Sequence, residues 1–140
     1  MFLDASAIVA ILAREPGYEE LEKAIDNSID PTHHISPLVR FEAIQALARQ
    51  KTASGMKTTP LLLEAAAKAV DAFCRDLDIE QIPISADIGN VASVASQTYG
   101  KVIGHPADLN FGDCFAYACA KTLKTRLLYK GNDFLQTDLA

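Results

Sequence analysis

Met1–Ala13 reads MFLDASAIVAILA: an apolar triplet, one carboxylate, then nine small or aliphatic residues. A secretory leader is also apolar at this place, but this stretch has no basic start and Asp4 interrupts it at once. A short buried strand passing straight into a helix accounts for it better. That junction opens an α/β unit, and the same alternation recurs along the chain.

Downstream, REPG breaks the first helix and YEELEKAIDN reads as a second, acidic on its outside. HHIS (33–36) is a short strand. Ser36 then caps a helix with Pro37 at its first position, running to about Lys51. After the loop TASGMKT, Thr59 and Pro60 start another helix that ends near Leu77. IEQIPIS (79–85) is a strand, and Ser85 caps ADIGNVASVASQTY, which Gly100 closes as a left-handed terminal residue. KVIGHPADLN is a loop, FGDCFAYACAKTL a helix, RLLY a strand and KGND a turn, with a short last helix after it. Short, unpatterned apolar strands alternating with helices predict a small parallel sheet with helices on both faces. No repeat, linker or low-complexity stretch divides residues 1–140, so the chain reads as one domain.

Composition narrows the class. With 49% hydrophobic and 22% charged residues the chain is an ordinary globular one, and no run approaches the roughly 20 apolar residues of a membrane span. Cys74, Cys114 and Cys119 are an odd set with no C-x-x-C, which argues against a disulfide framework or a zinc site and fits a reducing cytoplasm. The net charge of −5 weighs against nucleic acid as a partner. Its distribution is uneven. Lys121, Lys124, Arg126 and Lys130 lie in a stretch without acids, and four bases accompany the single Glu42 between Pro37 and Lys57. These are either solvated faces or a basic rim around an acidic pocket.

Sites in parallel α/β folds form beyond the carboxyl ends of the strands. Four carboxylates fall there. Asp4 ends the first strand, Asp133 follows the last, Asp113 opens the helix before it, and Glu42 lies within two turns of a helix start that follows a strand. Each has a plain structural alternative: a helix cap for Asp4 and Asp113, a turn residue for Asp133, a surface Glu for Glu42. Glu42 shares its helix face with Leu38 and Ala46, which suits a surface residue poorly. Carboxylates gathered together repel unless a cation neutralises them, and oxygen-only ligands select Mg²⁺ or Mn²⁺. On this reading Gly112 leaves room for Asp113 to present a metal ligand. His33 and His34 point to opposite faces of a strand and His105 lies in a loop, so they offer no rival metal site.

MFLDASAIVAIL, ISPLVRFEAIQAL, HPADLNFGDCFAYACAKT and LLYKGNDFLQTDL resemble, in order and spacing, the four signature blocks of the PIN domain, and more narrowly the VapC-type toxins of bacterial toxin–antitoxin pairs. The resemblance implies a PIN-like fold and a Mg²⁺- or Mn²⁺-dependent endoribonuclease whose activated water attacks a phosphodiester, leaving a 3′-hydroxyl and a 5′-phosphate. It places the acidic quartet on Asp4, Glu42, Asp113 and Asp133, with Asp138 the alternative for the fourth. Ser6 matches a small hydroxyl residue that orients a ligand or starts the helix. The Ala, Leu and Val residues of ISPLVRFEAIQALA and TPLLLEAAAKAV exceed what one helix face needs for a core, which points to a helical self-association surface. The resemblance further implies a homodimer and a small antitoxin whose C-terminal segment occupies the acidic groove, with the Lys121–Lys130 region guiding RNA phosphates. The alternatives are a PIN-like RNA-processing nuclease outside such a pair and a catalytically silent acidic-groove binding domain. A phosphotransferase using Asp4 as nucleophile is disfavoured, because Ser6 stands where that chemistry wants a second Asp.

Overall fold

Four strands of two residues each form the centre of the molecule, which a computed structural model describes over residues 1–139. They are β1 (Phe2–Leu3), β2 (His34–Ile35), β3 (Glu80–Gln81) and β4 (Leu127–Leu128), all parallel and ordered β3-β2-β1-β4. Six helices connect them: α1 (Ala5–Ala13), α2 (Tyr18–Asp26), α3 (Pro37–Lys51), α4 (Pro60–Asp76), α5 (Ala86–Tyr99) and α6 (Phe111–Leu123). Phe2 and Leu3 point to opposite faces of the sheet and both are fully buried, so helices cover both faces. The expected α/β architecture is therefore the one found.

The strand order reverses at β1, with β2 on one side and β4 on the other. Parallel strands diverging from that point leave a crevice at their carboxyl ends, the place where such folds bind ligands. Leu128 O accepts from Asp4 N–H at 2.9 Å, so the ladder holds the first carboxylate of the chain at the crevice.

Helix starts fall where the sequence places them. Ser36, Thr59 and Ser85 each accept a hydrogen bond from the third residue onward, with Pro37 and Pro60 opening their helices. Four details differ. The expected strands are cut to two residues, IEQIPIS most of all, because β3 is an exposed edge with pairing on one side only. Gly100 is extended (φ −73°, ψ 150°), not left-handed. Glycine is needed there because a Cβ would lie 2.3 Å from Ser96 O, where the chain turns into a short 3₁₀ segment and a bridge to Leu109. The short helix after KGND is absent among the described residues; successive turns anchored by Phe134 replace it.

The fourth difference concerns α3. Its apolar residues Val39, Ala43, Ile44, Leu47 and Ala48 are all buried within the chain, against α1, α4 and α6, and are not a surplus for self-association. In α4 only Ala66 and Val70 are buried, and Leu61 is exposed. The three cysteines are free, and no helix among the described residues is long and apolar enough to cross a membrane.

Candidate active site

Asp4 follows β1 directly and acts at once as the N-cap of α1. Its Oδ2 accepts from the Ser6 backbone N–H at 2.9 Å and from the Ser6 hydroxyl at 2.5 Å. Ser6 Oγ in turn accepts from Lys130 N–H at 3.0 Å, just past β4. One serine thus joins the ends of the two strands that flank the crevice and fixes the carboxylate between them. Asp4 is only 6% exposed. Burial raises its pKa above the ordinary carboxylate value, against the pull of the Ser6 bonds, and the nearby Asp133 charge adds to the rise.

Asp113 is the third residue of α6 and closes a reciprocal cap. Asn110 Oδ1 accepts from Gly112 N–H at 2.8 Å and Asp113 N–H at 3.2 Å, while Asp113 Oδ2 accepts from Asn110 N–H at 2.8 Å. Capping does not take Asp113 out of the crevice, because its Oδ2 serves the backbone while the side chain still lines the cavity. Glu42, half-buried on α3, completes the arrangement.

Glu42, Asp113, Asp133, Asp4 and Ser6 line one cavity of about 600 Å³. Glu42 is pushed up to about 7, by desolvation first and then by the charges of Asp4 and Asp113. Asp113 is pushed up to about 6 by desolvation, against its bond from Asn110, with Asp4 and Asp133 contributing. Asp4, Glu42 and Asp113 are all raised, by burial first and by neighbouring like charges second. Gly112 makes room, but for Glu42 rather than for Asp113: a Cβ on Gly112 would lie 2.0 Å from Glu42 Oε1.

Asp133 and Asp138 lie in different surroundings. Asp133 lines the cavity and is exposed. Asp138 is engaged elsewhere, accepting from the Tyr117 hydroxyl at 2.7 Å and Lys121 Nζ at 2.8 Å, and this pairing lowers its pKa. The same contacts thin the expected basic rim. Lys121 is paired with Asp138, Arg126 with Asp30, and Arg40 with Asp71. Lys130 and Arg49 are the bases that reach the cavity wall.

Five further lining residues escape a motif-based reading: Asn110, Glu15 and the α3 row Phe41, Gln45 and Arg49. Asn110 was legible as a cap three residues before Asp113. The α3 row was legible as an i, i+4, i+8 stripe beside Glu42. His33 and His34 stay outside the cavity, as expected.

A hard divalent ion fits the donor set, whose oxygens come from carboxylates with Ser6, Gln45 and Asn110 beside them and no His or Cys in the wall. Among the described residues no three such side chains form a ready-made ion cage.

The model of the PIN domain family matches residues 1–139. The chain is 49% identical over 140 residues to a VapC ribonuclease of Rhizobium meliloti (strain 1021), covering 99% of this chain and 98% of that one. It is 34% identical over 139 residues to ribonuclease VapC42 of Mycobacterium tuberculosis (strain ATCC 25618 / H37Rv), covering 99% and 96%. Among solved structures it is similar to Mycobacterium tuberculosis VapC20, described as a sarcin-ricin loop cleaving toxin, with a TM-score of 0.71, 18% identity and coverage of 99% and 95%.

Proposed function

Because this chain belongs to the PIN domain family and, within it, to the VapC ribonucleases, we propose that it is the endoribonuclease toxin of a type II toxin–antitoxin pair, acting as one domain. The observation that carries this reading is the convergence of Asp4, Glu42, Asp113 and Asp133 on one cavity at the switch point of a parallel sheet.

Asp4 and Asp113 are the principal ligands for Mg²⁺ or Mn²⁺, because a strand end and a helix start hold them and each is already oriented by a hydrogen bond. Glu42 completes the ligand set directly or through water, and Asp133 holds a second ion or orients a water. When bound, the ion supplies a lowered pKa for the attacking water and neutralises charge on the phosphoryl group. Ser6 keeps Asp4 in place by its short hydroxyl bond. Lys130 and Arg49 at the wall offset part of the acidic repulsion toward an RNA phosphate.

A small antitoxin is the expected partner, its C-terminal segment lying in the acidic groove and answering the carboxylates with a basic side chain. Self-association as a homodimer uses the apolar groove between α5 and α6, where Val102 is 82% and Phe111 69% exposed beside Ala92 and Phe115. The three free cysteines suit a cytoplasmic site of action.

Purified protein incubated with RNA tests the reading. Cleavage should require Mg²⁺ or Mn²⁺, stop with EDTA and leave 5′-phosphate ends. Cleavage in excess chelator with cyclic phosphate ends would assign the chemistry to metal-free groups, and no cleavage with either ion would leave a silent binding groove.

A further inference from the structure

Phe41 immediately precedes Glu42, yet it is 58% exposed while the other apolar residues of α3 facing the core are buried. Its ring stands in the wall of the acidic cavity. Gln45 and Arg49 follow at one-turn intervals on the same side of α3 and line the same wall. From Phe41 to Arg49 the row spans about 12 Å along the helix axis. A second cavity of about 640 Å³ shares Gln45 and Arg49 and continues past the 52–58 loop to Lys57, so the two form one trough leading away from the carboxylates.

Phosphate chemistry alone needs no aromatic ring there. We propose that Phe41, Gln45 and Arg49 form a nucleotide subsite in which the Phe41 ring stacks on an unpaired base beside the scissile phosphate, Gln45 bonds that base's edge, and Arg49 pairs with the neighbouring phosphate. The inference rests on the ribonuclease reading and adds the groups that hold the substrate. Stacking suits a site poor in positive charge, because every base offers a π face and the attraction needs no cation. Gln carries both a donor and an acceptor, so it can meet the edge of any base. The bases of a duplex are stacked on one another, so the trough selects RNA that is unpaired at the cleavage point.

The test uses the full chain and a fluorescein-labelled, unstructured 12-nucleotide oligoribonucleotide. Binding is followed by anisotropy with Ca²⁺ in place of Mg²⁺, the oligomer being checked for integrity, and steady-state cleavage is followed with Mn²⁺. Phe41→Ala should weaken binding roughly five- to 150-fold, the range for loss of one stacked base, and should raise KM more than it lowers kcat. Phe41→Tyr should restore both. The chain has no Trp, so Phe41→Trp adds a single reporter whose emission should be quenched at saturating oligomer. Binding of Phe41→Ala within about twofold of wild type, unchanged Trp emission, or conversion of a dimer to a monomer by Phe41→Ala would each overturn the subsite. A wild-type chain that neither binds nor cleaves the oligomer removes the ribonuclease reading and the subsite with it. A chain that cleaves but ignores Phe41 removes the subsite alone.

Discussion

Gly112 and Glu42 share one volume: a Cβ on the glycine would lie 2.0 Å from Glu42 Oε1 and 2.6 Å from its Cδ. The contact joins the first turn of α6 to α3 and sets how far the Glu42 carboxylate reaches toward Asp113. The neighbouring atoms are the far end of a flexible side chain, so an added methyl moves Glu42 without breaking the backbone.

Gly112→Ala should therefore separate activity from stability. Alanine is the better helix former by about 1 kcal/mol, so the melting temperature should hold or rise. Cleavage should fall to the level of Glu42→Ala, because the carboxylate is expelled from its place. Wild-type rates in Gly112→Ala would show that Glu42 does not need that position.

Asp4→Asn and Asp113→Asn should each abolish detectable cleavage while circular dichroism stays unchanged. Asn is nearly isosteric and keeps an acceptor for the Ser6 and Asn110 donors, so the caps survive. Without metal both variants should melt at or above the wild-type temperature, since a desolvated charge is removed from a like-charged cluster. Retained cleavage in either variant refutes its assignment.

Glu42→Gln should lower cleavage and raise the metal concentration needed for half-maximal rate, with added Mn²⁺ restoring part of it. Arg40 cannot compensate the Glu42 charge, because its guanidinium is held by Asp71 at 2.7 and 2.9 Å. A titration of rate against Mn²⁺ checks this. An unchanged curve would make the site one of aspartates alone.

The metal-free protein should lose stability as pH rises from 5 to 8. Glu42 at about 7 and Asp113 at about 6 bind protons in the folded state that the unfolded chain has already released, so folding is favoured below their raised values and penalised above them. Both groups are partly solvated, which discounts the effect to a melting shift on the order of 5 °C. His33, whose pKa is lowered mainly by burial, works in the opposite direction over part of this range. Comparison with Glu42→Gln isolates the carboxylate contribution, since that variant should show a flatter profile. Saturating Mg²⁺ should lift the melting temperature most at pH 8; equal shifts at pH 5 and 8 would contradict the linkage.

What the sequence by itself determined is local. Ser36-Pro37, Thr59-Pro60, Ser85 and the FGDCFAYACAKTL run set where four helices begin, because a cap and a fixed φ act within one turn of chain. Strand-to-helix junctions put Asp4 and Glu42 at the same sheet edge, since the carboxyl ends of parallel strands all face one way, and the Asn110 cap sets where Asp113 stands at the start of α6. Only the tertiary structure decided what depends on neighbours distant along the chain. It assigned Asp133 to the cavity and Asp138 to Lys121, turned Ser6 into a brace between β1 and β4, gave the space over Gly112 to Glu42, and left Phe41 in the cavity wall. Burial and like-charge repulsion act through space over a few ångströms, and no spacing along the chain encodes which distant side chains will share them.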